Sequence, residues 1–149
     1  MKYDDASWHY GGDFPVDQPA EHGGTHIALF LRWCLTKGWA GEWLQEESPA
    51  DITDVMNGTQ SATAFLFAHD GKFVDDMLND EGKAFANQYY GEDGLYLEDY
   101  SNNFGHLMYV APEDAHDFDQ FSAMMEQRLQ SGILTKAQFK ATKKWWKFW

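Results

Sequence analysis

Between Gly24 and Gly38 runs the most apolar segment of the chain, Thr25-His26-Ile27-Ala28-Leu29-Phe30-Leu31-Arg32-Trp33-Cys34-Leu35-Thr36-Lys37. Ile27, Phe30, Leu31, Cys34 and Leu35 recur at the three- and four-residue spacing that puts side chains on one helical face. Thr25 carries the hydroxyl of an N-cap. Lys37 offers a positive charge to the negative end of the helix dipole, and Gly38 supplies a left-handed stop. The spacing predicts a helix over 25–37, apolar enough that the other segments must cover it. Trp39 and Trp43 are expected to close over it.

A length of 149 residues fits one domain. Aromatic residues make up 17% of the chain, enough apolar surface to drive folding despite the high charge. Cys34 is the only cysteine, so no intramolecular disulfide can form, which suits a reducing compartment. There is no basic start followed by an apolar run, and no stretch of 18 apolar residues. A cytoplasmic protein with no stable membrane insertion is the expectation.

The other segments read mostly as helices. Ser48-Pro49-Ala50-Asp51 has the cap, the proline and the acid of a helix start, and that helix should end near Asn57-Gly58. Ser61–His69 and Asp80–Tyr90 follow, joined through a turn at Asp70-Gly71. Gly82 inside the latter costs about 1 kcal/mol relative to alanine and hints at close packing. Leu95–Phe104 is ambiguous, although Leu95, Leu97 and Tyr100 need cover. Leu107–Val110 is the best strand candidate, and short strand pieces near Ser7–Tyr10 are possible. A helix opening at Pro112-Glu113-Asp114 carries a stripe of Phe118, Phe121, Met125 and Leu129 to Ser131-Gly132. Thr135-Lys136-Ala137-Gln138 is a capping box for the last helix. The expected fold is mainly α (α+β), a single compact domain of five to six helices with one or a few short strands. Residues 1–134 form the acidic globular part, and 135–149 a basic, Trp-rich helix or tail that belongs to it or lies at its edge.

The opening, Tyr3-Asp4-Asp5-Ala6-Ser7-Trp8-His9-Tyr10-Gly11-Gly12-Asp13-Phe14-Pro15, mixes aromatics, acids, a histidine and glycines. Asp4, Asp5 and His9 would make an acid–base group. Carboxylates clustered near a histidine are more often turn caps and hydrogen-bond anchors. The chain has no G-x-S-x-G frame, no phosphate loop and no H-E-x-x-H, and Cys34 lies on an apolar face. His22 and His26 are separated by Gly23-Gly24, which breaks a helical ligand pair. Asp70–Glu81 has the length of a calcium loop but the wrong residues inside it. No catalytic, cofactor or metal residue is assigned, and the opening reads as a clasp whose aromatics pack on the helix at 25–37.

Charge is segregated. All 24 acidic residues lie between Asp4 and Glu126, against five basic ones up to that point, a net of −19. From Gln127 on there are six basic residues and no acidic ones. An acidic body repels nucleic acid and membrane phosphates and attracts a basic protein, although solubility alone accounts for the charge equally well. The tail ending Trp145-Trp146-Lys147-Phe148-Trp149 either docks on the acidic body, sits at a membrane surface, or contacts a partner.

The opening motif, together with Gly24-Thr25-His26, Leu78-Asn79-Asp80-Glu81-Gly82, Ala84-Phe85-Ala86, Tyr89-Tyr90 and the closing Trp145-Trp146-Lys147-Phe148-Trp149, resembles an uncharacterised family of small cytosolic proteins from Gram-negative bacteria. That family in turn resembles the small acidic immunity proteins encoded beside type VI secretion and polymorphic toxins. The resemblance implies a non-enzymatic protein that binds a cognate toxin, with a nuclease as one candidate, and needs no cofactor. Contact residues are expected among the loop acids Glu46, Glu47, Asp75, Asp76, Glu92 and Asp93, with Trp8, Tyr10 and Trp43 as anchors unless they pack in the core. The alternatives are a non-catalytic adaptor domain and a hydrolase using Asp4, Asp5 and His9.

Overall fold

The computed structural model describes residues 1–9, 23–104 and 115–146. These form eight α-helices and one two-stranded sheet, a mainly α domain as expected. Strand β1 (Lys2–Asp5) leads into a one-turn 3-10 helix (Ala6–His9). Helices α1 (Thr25–Thr36), α2 (Glu42–Glu47), α3 (Pro49–Asn57) and α4 (Ala62–Ala68) follow. Strand β2 (Lys72–Val74) then pairs antiparallel with β1, placing Asp4 opposite Phe73 and Asp5 opposite Lys72. A further 3-10 turn (Asp75–Met77) precedes α5 (Asp80–Tyr89), α6 (Tyr96–Phe104), α7 (Ala115–Ser131) and α8 (Lys136–Trp146).

Helix α1 is the central element: every residue from Thr25 to Leu35 is buried. A helix that is apolar nearly all round is stable only when covered on all sides, and α3, α4 and α7 pack against it. Phe30, at its middle, is the hub of an aromatic cluster. Its ring lies 4.8 Å from those of Tyr90 and Tyr96, and 5.7, 6.1 and 6.3 Å from those of Phe73, Phe85 and Tyr89. Cys34 is fully buried, and burial pushes its thiol well above the ordinary range, so it is an inert part of the core.

Several expectations hold in detail. Gly38 takes φ +78° where the chain leaves α1. Any side chain at Gly82 would sit 3.0 Å from the Leu78 Cβ and 3.1 Å from the Trp39 Cβ, which accounts for a glycine inside α5. Thr135 and Gln138 form the full capping box, with Gln138 N bonded to Thr135 Oγ1 at 3.2 Å and Thr135 N to Gln138 Oε1 at 3.0 Å. The stripe on α7 buries Phe118, Phe121 and Met125.

Others are corrected. Gly24, not Thr25, is the N-cap of α1, and Thr25 lies buried in its first turn. The opening strand is Lys2–Asp5 rather than Ser7–Tyr10, because β2 supplies its hydrogen-bonding partner. Helix α2 was not expected, and the ambiguous 95–104 segment is helical from Tyr96. Leu97 finds no cover and stands 49% exposed. Trp39 does pack edge-on against Trp33, 5.3 Å between ring centroids, but Trp43 turns away to contact His69. Leu107–Val110 and Pro112–Asp114 lie outside the described residues.

Candidate functional site

The opening segment is built around the Asp4 carboxylate. Strand β1 delivers Asp4, which is only 4% exposed, into the interior. The next residue then turns the chain: Asp5 Oδ1 accepts hydrogen bonds from Ser7 N at 2.9 Å and Ser7 Oγ at 2.7 Å, capping the 3-10 helix. Lys2 closes on the other Asp5 oxygen at 2.9 Å, and Ala6 N is fastened to Gly71 O. That tight turn brings His9 back onto Asp4.

Asp4 Oδ1 receives Asp5 N at 2.8 Å and His9 Nε2 at 2.9 Å. Asp4 Oδ2 receives His26 Nε2 at 3.2 Å and the Tyr90 hydroxyl. His26 comes from the first turn of α1, with its backbone oxygen held by the Tyr96 hydroxyl at 2.6 Å. Strand, turn, α1 and the end of α5 therefore converge on one carboxylate. The His9 and His26 rings meet edge to face, 4.5 Å between centroids.

Burial alone would raise the Asp4 carboxyl, but the hydrogen bonds from His26, His9 and Tyr90 outweigh it and hold the group well below the usual carboxylate range. Burial lowers the His26 imidazole, and its hydrogen bond to Asp4 only partly opposes that shift. Since an ionised carboxylate only accepts, each histidine presents Nε2–H to it. Burial first, and then the Asp4 charge, raise the Tyr90 phenol well above its ordinary value and keep it a donor. His26 Nδ1 is buried with no hydrogen-bond partner.

Asp4 and His9 also line a cleft of about 480 Å³, with Tyr90 between β1 and α6. Trp8, 60% exposed, and Leu97 give it apolar walls, and Glu92 and Glu98 give it acidic ones. The Lys2 ammonium lies 5.0 Å from the centre of the Trp8 ring. Trp8 therefore does not pack on α1 as expected; the aromatic that secures the opening is Tyr3, which rests on Phe73 and Tyr90. Asp5 is not part of an acid–base group with His9, because Ser7 and Lys2 occupy it.

The expected contact acids are dispersed. Glu46 and Glu47 are exposed at the end of α2, and Trp43, 43% exposed, stands on the same helix. Asp76 is exposed, whereas Asp75 is half-buried and bonded at 3.1 Å to the N-terminal ammonium. Helix α2 packs on the 75–77 turn, and Met1, which Asp75 holds, lines the cleft, but Glu46, Glu47, Asp75 and Asp76 do not themselves line it. Glu92 and Asp93 are exposed in the loop after α5. Tyr10 lies outside the described residues. A second, polar cleft beside Arg128 is a structural tie: Arg128 grips Asp99 through Nε at 2.7 Å and Nη2 at 3.0 Å, and Tyr89 donates to the same carboxylate at 2.6 Å.

A family model for a domain of unknown function, DUF7832, matches residues 2–116. The chain belongs to the DUF7832 family. The matched span contains Asp4, His9, His26 and Tyr90, and so the whole of the described carboxylate knot; nearly all of α7 and all of α8 lie beyond it. Comparison with the curated proteins and with the solved structures returned no match. No described helix of this DUF7832 protein is long and apolar enough to cross a membrane.

Proposed function

We propose that this DUF7832 protein is an immunity protein. In the cytoplasm it binds a cognate secreted antibacterial toxin, of the type VI secretion or polymorphic class, and covers the toxin's active site. The observation that supports this reading best is the exposure of Trp8 and Trp43 on an acidic body. An indole in water leaves a large apolar surface uncovered, and tryptophan is among the residues most enriched where binding energy concentrates. Acids stand near both, Glu92 and Glu98 around the cleft of Trp8, which Lys2 and Lys136 also line, and Glu46 and Glu47 beside Trp43 on α2. The negative field draws in a basic toxin surface, and the indoles anchor it. A nuclease fits this chemistry, because carboxylates can occupy the positions its cleft reserves for phosphates.

Co-expression with the toxin encoded beside its gene tests the proposal. The two proteins are expected to co-purify, with association slowing several-fold between about 0.05 and 0.5 M salt as the steering field is screened. Absence of a complex at low salt would sink the reading.

One observation favours a second reading, a hydrolase: Asp4 and His9 face a cleft, with His9 oriented by Asp4 as a general base would be. The described lining holds no serine, threonine or cysteine, so such an enzyme would have to activate water.

A further inference from the structure

We propose that Asp4, His9 and His26 bind one divalent transition-metal ion of the zinc class. One carboxylate oxygen and two imidazole nitrogens, from β1, the 3-10 turn and α1, lie within 4.8 Å of one another. Tetrahedral zinc with bonds of about 2.0–2.1 Å sets its ligand atoms about 3.3 Å apart. The His9 Nε2 already stands 2.9 Å from Asp4 Oδ1, and the His26 Nε2 3.2 Å from Asp4 Oδ2. The knot is therefore close to the spacing a bound ion imposes, and small movements complete it.

The donor set chooses the ion. Two imidazoles with one carboxylate suit zinc, cobalt or nickel, whereas calcium and magnesium take oxygen ligands. Zinc sites that serve only structure are closed by four protein ligands. The described residues offer three, two of which line the cleft, so a further coordination position would open toward Trp8 and Glu92.

Binding requires both rings to turn an Nε2 lone pair to the ion and carry their proton on Nδ1. The His26 Nδ1 is buried without an acceptor. Histidines that ligate metal normally donate from that second nitrogen, and losing such a partner weakens affinity about 10–100-fold. The site is accordingly a moderate one, which would exchange metal rather than hold it irreversibly. It opens into the cleft that the toxin-binding reading uses but does not rest on that reading, and its test involves no toxin.

The test uses the tag-free full chain, stripped with a chelator and titrated with Zn²⁺. About one equivalent should bind saturably. His9→Ala, at the half-buried ligand, should lower the affinity at least ~10-fold, while His69→Gln should leave it unchanged. X-ray absorption of the zinc-loaded wild type should report two imidazole ligands, and this decides the matter if His9→Ala does not fold. No saturable binding by folded wild type, equal binding by both variants, or fewer than two imidazoles would each overturn the proposal.

Discussion

Replacing Asp4 by alanine is expected to destabilise the protein by about 3–5 kcal/mol at neutral pH. The carboxylate accepts bonds from Asp5 N, His9, His26 and Tyr90, and its removal leaves buried donors facing each other without an acceptor. Each such orphan costs about 1–3 kcal/mol, partly offset where the cleft admits water to His9. Asp4→Asn keeps the shape and one acceptor oxygen. The His9 ring can change tautomer to receive the new amide hydrogen, so this variant should lose less. The pH dependence follows from the sign of the shift. The folded carboxyl titrates below its unfolded value of about 3.9. Its contribution is therefore complete at neutral pH and disappears as the pH falls below about 4. Urea denaturation at pH 7 and at pH 3 should show a wide gap between wild type and Asp4→Ala that narrows in acid. A gap under about 1 kcal/mol at pH 7 would mean that the knot does not pin the opening segment.

Phe30→Ala is expected to cost a similar amount, about 3–5 kcal/mol, for a different reason. The ring contacts five others and is wholly buried on a helix that is covered on every side, so its removal leaves a cavity with no room to collapse. Domains of this kind are stable by only about 5–15 kcal/mol, so the variant should be close to unfolding at 37 °C. Phe30→Leu refills part of the space and should recover a substantial part of the loss. Equal urea midpoints for the two variants would show that the aromatic cluster is not close-packed.

The helices could be read from local patterns because their signals are local. The apolar face at 27–35, the capping box at Thr135–Gln138 and the stop at Gly38 lie within a few residues of the features they create. Helix α2 left little trace because six residues give too short a period to register. The two strands were missed for a related reason: each is three or four residues long and exists only because the other, seventy residues away, supplies its hydrogen bonds. The knot was half legible. Asp4 and His9 stood out as an acid beside a histidine, and His26 as a histidine near another. Nothing in their spacing joins Asp4 to His26 and Tyr90, which meet it across 22 and 86 residues. Trp8 and Trp43 read from the sequence as core residues first and anchors second, yet both stand exposed, because residue type alone does not reveal which side of a helix or turn will be left bare.

The central claim is that the exposed tryptophans of an acidic body hold a toxin. Survival of cells that express the neighbouring toxin tests it most directly. Cells that also carry the wild-type protein should grow, and cells carrying the folded Trp8→Ala/Trp43→Ala double variant should not. Full protection by the double variant, or no protection by the wild type, would contradict the account.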